Sequence, residues 1–216
     1  MDPDVSSLLD SPAFAPGLRA LARRGVARRY RKGTVLIQEG DVGDMLYIVA
    51  SGRVKACAND ARGREVTYGV YGPGEYLGEM SLDGGPRSAT VITLEASICI
   101  VVTRQTLLAH IAEHPEFAME LLAKVISRAR MATRTARDLA LLDAYGRLAA
   151  LLDQLAQPDG EGTRVIREPM THQALASRLG CSREMVSRLV KDLEAGGYLR
   201  TRPRPWRVCR TLPTRW

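Results

Sequence analysis

Two clusters of side chains have the types and spacing to do chemistry. The first is Gly78-Glu-Met-Ser-Leu-Asp-Gly-Gly-Pro-Arg-Ser-Ala-Thr90. Arg87 can form a charge-assisted pair with a phosphate, and Ser88 adds a hydroxyl donor. Glu79 is an acceptor suited to a ribose hydroxyl. A short turn of helix starting near Gly78, through Met80, would offer backbone N–H groups to an anion. As an isolated string, a Glu and an Arg eight residues apart more often form a surface salt bridge.

The second cluster runs from Thr171 to Leu193. Thr171 is an N-capping residue for a helix to Leu179 that places Leu175 and Leu179 on one face, with Ala176 beside them. Gly180 supplies a left-handed turn, and Ser182 caps a second helix. At 100° per residue, Val186, Leu189, Val190 and Leu193 share an arc of roughly 100°. Arg183, Glu184, Ser187, Arg188 and Lys191 take the opposite arc. One face is core; the other carries donors and an acceptor able to enter a major groove, where Arg pairs with guanine edges or phosphates and Glu accepts from cytosine. An ordinary helical hairpin with a solvated charged face is the bland alternative.

The elements that must position these clusters differ along the chain. Val35–Ile37, Met45–Ala50, Val54–Ala58, Val66–Tyr71, Val91–Leu94 and Ile98–Val102 are short β-branched runs punctuated by glycines, the pattern of a sandwich or barrel. Residues 116–142 contain no Gly or Pro and predict one helix about 40 Å long. Along it Leu121, Val125, Ala129, Ala132, Ala136 and Leu139 recur at steps of 4, 4, 3, 4 and 3, an apolar stripe that outreaches a small domain and suits a symmetric partner helix. Asp143 is placed to cap a further helix over residues 144–157, with a hinge between the two. Gln157-Pro-Asp-Gly-Glu-Gly162 is a turn-rich break. Tyr198–Arg202 and Trp206–Arg210 are expected to pair as a hairpin, a wing whose six arginines, Arg204 and Arg215 among them, meet phosphates rather than bases.

Charge agrees with this division. Of a net +7 over 216 residues, residues 1–143 carry 18 Lys/Arg against 17 Asp/Glu, while residues 144–216 carry 13 against 7. A basic carboxy-terminal third suits a polyanion. The chain is 45% hydrophobic and 25% charged, the mix of a globular protein. No apolar run reaches the roughly 18 residues of a membrane span, so no membrane partner is expected. The acidic start MDPDVSSLLDSPAF lacks the features of an export signal. Cys57, Cys99, Cys181 and Cys209 form no CxxC pair, which fits a reducing cytoplasmic setting and no metal cluster. No Walker loop, metal triad or Ser/His/Asp arrangement suggests an enzyme.

The segment from Gly78 to Thr90 resembles the phosphate-binding cassette of cyclic-nucleotide-binding domains. Together with the long helix and Gly180-Cys-Ser-Arg-Glu184 followed by Arg188, it makes residues 34–208 similar to the CRP/FNR superfamily of transcription regulators, closest in pattern to its cyclic-AMP-receptor branch. The resemblance implies an α+β chain: a β-roll cyclic-nucleotide-binding sensor over residues 1–115, a long dimerisation helix and hinge over 116–143, and a winged helix-turn-helix DNA-binding domain over 144–216. It implies a homodimer, double-stranded DNA and RNA polymerase as partners, and cyclic AMP or another cyclic nucleotide as effector. It also implies palindromic sites with half-sites like TGTGA, read by Arg183, Glu184 and Arg188. In the relatives two adjacent hydroxyl residues of the long helix touch adenine; the aligned positions here are Ala132 and Thr133, so one hydroxyl remains, and cyclic GMP or cyclic di-GMP, or a ligand-independent DNA-binding protein with a lapsed pocket, stays open. The iron–sulfur branch uses amino-terminal cysteines absent before Cys57. The haem branch needs axial ligands, and His110 and His114 read instead as a helix end ahead of Pro115. His172 reads as a contact to phosphate or solvent.

Overall fold

The computed structural model describes residues 3–61, 63–159, 163–168 and 170–214. Gly160, Glu161 and Gly162 of the turn-rich break and Arg215 of the tail lie outside them. The chain forms two compact units, one of residues 1–60 and 67–131, the other of 61–66 and 132–216.

In the first unit, α1 (Pro3–Leu9) and α2 (Pro16–Ala22) precede β1 (Val26–Tyr30), β2 (Val35–Ile37), β3 (Met45–Ser51), β4 (Val54–Asn59), β5 (Glu65–Tyr71) and β6 (Tyr76–Leu77). A three-residue 3-10 turn, Glu79–Ser81, leads to β7 (Thr90–Thr93), β8 (Ser97–Thr103), α3 (Arg104–Glu113) and α4 (Glu116–Leu141). The strands make two four-stranded sheets, β1-β8-β3-β6 and β2-β7-β4-β5. β3 and β8 pair antiparallel from Met45↔Thr103 to Ser51↔Ile98, with an irregularity between Val49 and Ser51. One core unites Leu46, Ile48, Ile100 and Val102 with Leu9, Phe14, Leu18, Leu21, Leu107 and Phe117 of the helical segments. A second unites Val49 and Cys99 with Ile37, Val54, Leu77 and Val91. The first sheet is therefore covered on both faces, which is why β8 is buried without alternation from Ser97 to Val102. Burial pushes the Cys99 thiol up to about 12, leaving it inert.

The six strand runs read from β-branched residues all form. β1 escaped that reading because residues 23–32 are dominated by Arg and Lys; it is ordered by its ladder to β8, Val26↔Val101 through Tyr30↔Ser97.

His110, near the end of α3, is fully buried, 4.8 Å from the His114 ring and edge-on to Phe117 at 5.0 Å. Burial, and then the His114 and Arg24 charges, hold its pKa below the usual histidine value, opposed by the Gly17 backbone and Glu113. On acidification the unfolded chain takes up this proton before the folded one does. Stability from this site is therefore full above about pH 6.5 and falls below it, by at most about 1.4 kcal/mol per pH unit. Thermal melts of His110→Leu are expected to show a shallower acid limb than the wild type; parallel limbs would remove His110 as the cause.

α4 ends one residue before the expected boundary, and the division into units falls within it, at Met131/Ala132, rather than at its start. The reason is packing: Phe117 is buried, and Leu121, Lys124, Val125 and Arg128 are half-buried, so the first four turns belong to the β-roll. Met119, Leu122, Ile126, Met131 and Leu139 are exposed, as are Ala129, Ala132 and Ala136. Leu121 packs on the β-roll core and Val125 is half-buried, while the exposed row begins Met119, Leu122, Ile126.

The second unit continues with α5 (Ala144–Leu155), β9 (Gln157–Pro158), β10 (Arg164–Ile166), α6 (His172–Leu179), α7 (Arg183–Ala195), β11 (Leu199–Arg200) and β12 (Trp206–Val208). Its sheet has the order β11-β12-β10-β9. Gln157 and Pro158 of the turn-rich break form β9, which pairs antiparallel with β10, and the expected wing forms as β11–β12 in the register Leu199↔Val208. Leu148, Leu152, Leu175, Leu179, Val186, Leu189, Val190, Leu193 and Trp206 build one core. Each fully buried Leu or Val contributes about 1.5–3 kcal/mol. Asp143 caps α5 by accepting from the Gly146 N–H at 2.7 Å. Arg147 on α5 donates to the Leu142 carbonyl at 2.8 Å and to the Leu179 carbonyl at 2.9 Å, tying the residue that follows α4 to the end of α6.

Candidate nucleotide pocket and DNA-binding face

Gly78 has φ 96°, a left-handed conformation that favours glycine, and a Cβ there would lie 2.6 Å from the Met45 carbonyl and 2.7 Å from an Arg87 nitrogen. This close approach lets Arg87 turn inward. Its guanidinium donates to the Gly78 carbonyl at 3.0 Å, the Ser81 hydroxyl at 2.7 Å and the Met45 carbonyl at 2.9 Å. Arg87 is only 7% exposed, all three partners are neutral, and among the described residues no carboxylate pairs with it. A buried cation without a counter-ion is costly, and an anion at this position would offset that cost.

The expected helical turn is a 3-10 turn of three residues, too short to supply a helix dipole of its own. That leaves Arg87 and Ser88 as the groups able to meet an anion; Ser88 is exposed and points its hydroxyl at the Met80 sulfur, 3.5 Å away. Met80 is also exposed, at 58%.

Glu79 is buried and is met by a partner the sequence reading missed. Arg128 of α4 donates to Glu79 Oε1 and to the Tyr76 carbonyl, and its guanidinium lies 4.8 Å from the Tyr71 ring centre and 5.7 Å from that of Tyr76. Burial raises both phenols, Tyr76 to about 12, with the Arg128 charge opposing, so both are neutral near pH 7. Glu79 Oε2 and Arg128 Nε are buried with no hydrogen-bond partner among the described residues. A ligand hydroxyl would satisfy the first. Arg87, Glu79 and Arg128 together leave one positive charge, which one phosphodiester would neutralise. These residues therefore fit a cyclic nucleotide: Arg87 and Ser88 for phosphate, Glu79 for ribose. Ala132 and Thr133 lie about one turn further along α4, and both are exposed.

On the second unit, Arg183, Glu184, Arg188 and Lys191 are exposed on α7, opposite the buried Val186, Leu189, Val190 and Leu193. Gly180 takes the left-handed turn at φ 63°, and the Cys181 N–H reaches the Ala176 carbonyl at 3.2 Å. Thr171 and Ser182 accept cap bonds from Ala174 and Met185, each at 3.1 Å, which leaves their O–H groups to donate elsewhere. The Ser187 hydroxyl is engaged by His172 Nδ1 at 2.8 Å. In the wing, Arg207 pairs with Asp159, and Arg204 reaches the Met170 carbonyl at 3.4 Å.

A small-molecule anion site on a β-roll, followed in the same chain by a winged helix-turn-helix, defines a ligand-responsive transcription regulator. Residues 27–114 match the model of the cyclic nucleotide-binding domain, and residues 146–211 that of the Crp-like helix-turn-helix domain. The chain is 33% identical over 175 residues to the CRP-like cAMP-activated global transcriptional regulator of Mycobacterium tuberculosis, covering 79% of this chain and 78% of that one. It is 37% identical over 178 residues to the cyclic AMP receptor protein of Thermus thermophilus, with coverages of 82% and 80%. Among solved structures, the c-di-GMP responsive global regulator CLP of Xanthomonas campestris aligns with a TM-score of 0.75 at 27% identity, covering 89% of this chain and 97% of that one. The chain belongs to the CRP/FNR family of DNA-binding, cyclic nucleotide-responsive transcription regulators. These relatives are regulators, not enzymes. Among the described residues there is no group of three His, Cys, Asp or Glu side chains able to hold a metal, and no helix long and apolar enough to cross a membrane.

Proposed function

We propose that this chain acts in the cytoplasm as a homodimer that binds palindromic promoter DNA when a cyclic nucleotide, cyclic AMP first, occupies the pocket of the β-roll, with RNA polymerase as its downstream partner. The observation that carries this reading is the buried Arg87, which no carboxylate pairs among the described residues, in the same short segment as Glu79, whose Oε2 has no hydrogen-bond partner among them. Gly78, Glu79, Met80, Arg87 and Ser88 form the phosphate and ribose end, and Ala132 and Thr133 the base end. α7 reads bases through Arg183, Glu184 and Arg188, with Lys191, Thr171 and Ser182 on phosphates. Dimerisation runs along α4. Relatives named for cyclic AMP favour that nucleotide, while the relative named for c-di-GMP, together with the single hydroxyl of Thr133, keeps cyclic di-GMP as the second reading. Calorimetry of the purified protein against cyclic AMP, cyclic GMP and cyclic di-GMP tests it. Binding of one at about one per protomer supports the pocket; no binding of any overturns it.

Arg128 gives the pocket a path into α4. A ligand that engages Glu79 changes the balance of the Glu79–Arg128 pair, and α4 leads through Leu142 to the carbonyl held by Arg147. Coupling between two sites of an allosteric protein is usually about 1–3 kcal/mol, or 5–150-fold in affinity. Arg128→Ala is expected to remove most of the nucleotide-dependent gain in DNA affinity while Arg87 still binds phosphate. Undiminished coupling in that variant would take Arg128 out of the path.

A further inference from the structure

On the DNA-binding face, one histidine reads from the sequence as a contact to phosphate or solvent and has no part in the proposed function. His172 is the first residue of α6, half-buried, with Nδ1 2.8 Å from the Ser187 hydroxyl in the middle of α7. Its ring stands edge-on to Trp206 of the wing strand β12, 6.3 Å between centres. Two anchors on two elements fix the ring's position and orientation, and they leave Nε2 as the remaining polar atom. The bond to His172 also gives Ser187 a role other than direct base reading.

We propose that His172 is a DNA backbone ligand, binding a phosphate through Nε2–H while Ser187 holds Nδ1, so that operator binding takes up a proton at His172. The proposal rests on the DNA-binding face described above and adds a proton-linked contact to it. Neutral imidazole in its Nε2–H form can accept the Ser187 hydroxyl at Nδ1 and donate to a phosphate, so the proton linkage comes from charge rather than from donor count. Imidazolium donates from both and adds a positive charge against the phosphate. The charged groups on the surrounding elements favour an anion beside the ring. α7 carries Arg183, Arg188 and Lys191 with one carboxylate, Glu184, in its first turn. On the wing side Arg204 is bonded to the Met170 carbonyl, two residues before His172. A cleft of about 400 Å³, lined in part by Arg167, Arg204 and Trp206, opens on that side of the fold. The nearby carboxylates are occupied: Glu168 pairs with Arg178 of α6, and Asp159 with Arg207 and Arg167.

The experiment measures binding of the full-length protein, by fluorescence anisotropy, to a duplex it has selected from a random pool, with selection and titration both run with and without saturating cyclic AMP, cyclic GMP or cyclic di-GMP. Titrations run between about pH 6 and pH 8, the range in which histidine changes charge. The wild type is expected to bind more tightly as pH falls, with a slope approaching tenfold per pH unit per protomer at the limit of one proton taken up. His172→Gln keeps a polar partner for Ser187 but cannot charge, and it is expected to lose that slope. His172→Arg is permanently charged and is expected to bind tightly and without the slope even at the alkaline end. His110 and His114 are unchanged in all three proteins, so their titration cancels in the comparison. Equal slopes in the wild type and His172→Gln overturn the proposal, and so does a uniform loss of affinity at every pH. In either case the protein still binding its selected duplex leaves the DNA-binding reading intact, whereas a wild type that selects no duplex fails that reading itself.

Discussion

Arg87→Ala is expected to weaken cyclic-nucleotide binding by about 30- to 5,000-fold, the equivalent of the 2–5 kcal/mol that truncating one partner of a buried charge pair costs. Arg87 is the cation at the pocket's phosphate end that no carboxylate neutralises, since the other nearby cation, Arg128, is committed to Glu79. The guanidinium also holds the Gly78 and Met45 carbonyls, so the alanine variant loosens the cassette as well as removing the charge. Arg87→Lys separates the two effects. It keeps the charge but not the fork that reaches both carbonyls and Ser81, and it should bind at an intermediate level. Calorimetry reads both, and an unchanged dissociation constant in Arg87→Ala would place the nucleotide elsewhere.

Ile126→Asp is expected to convert a dimer into a monomer. Ile126 is 41% exposed on α4, between Leu122 at 48% and Ala129, on the face that does not pack on the β-roll. In a twofold pairing of α4 helices the variant sets like charges opposite one another or against apolar side chains, at a cost of several kcal/mol. Loss of the dimer also removes the effective concentration that links two DNA contacts, a factor of about 10²–10⁴. Sedimentation velocity at micromolar concentration should show the monomer, and DNA affinity should fall with it. A variant that remains dimeric would move the interface off this face. Leu121→Asp is the informative contrast: that side chain packs on the variant's own core, so its first effect is on stability.

What could be read from the chain and what could not follows from the range of the interactions. Glu79, Arg87 and Ser88 lie within ten residues of one another, and their chemistry is visible in a single string. Arg128 is 49 residues from Glu79 and sits in a helix read for its apolar period, so its charge hid it. A signal was available: Leu121, Lys124, Val125 and Arg128 follow one another at helical spacing, and a buried carboxylate needs a cation. α4 is apolar on two sides, and periodicity alone does not say which side the β-roll covers; this is why Leu121, read as part of the stripe, packs on the core while Leu122 and Ile126 are exposed. The helix-turn-helix was legible almost to the residue because caps are local: Thr171, Gly180 and Ser182 each act within three or four residues. Ser187 was not, because its partner His172 comes from the preceding helix. β1 is ordered by β8 rather than by its own composition, and only the folded sheet reveals it.

On the proposed function, a nucleotide in the β-roll controls the DNA-binding face. That control is tested most directly by titrating a labelled duplex, selected by the protein itself, with and without a saturating amount of whichever cyclic nucleotide binds in calorimetry. The gain is bounded by the nucleotide's differential affinity for the DNA-competent and incompetent arrangements. The expected result is a tightening of about 5–150-fold with nucleotide present. Equal affinities with and without bound nucleotide would contradict the account, because a filled pocket would then leave DNA binding unchanged.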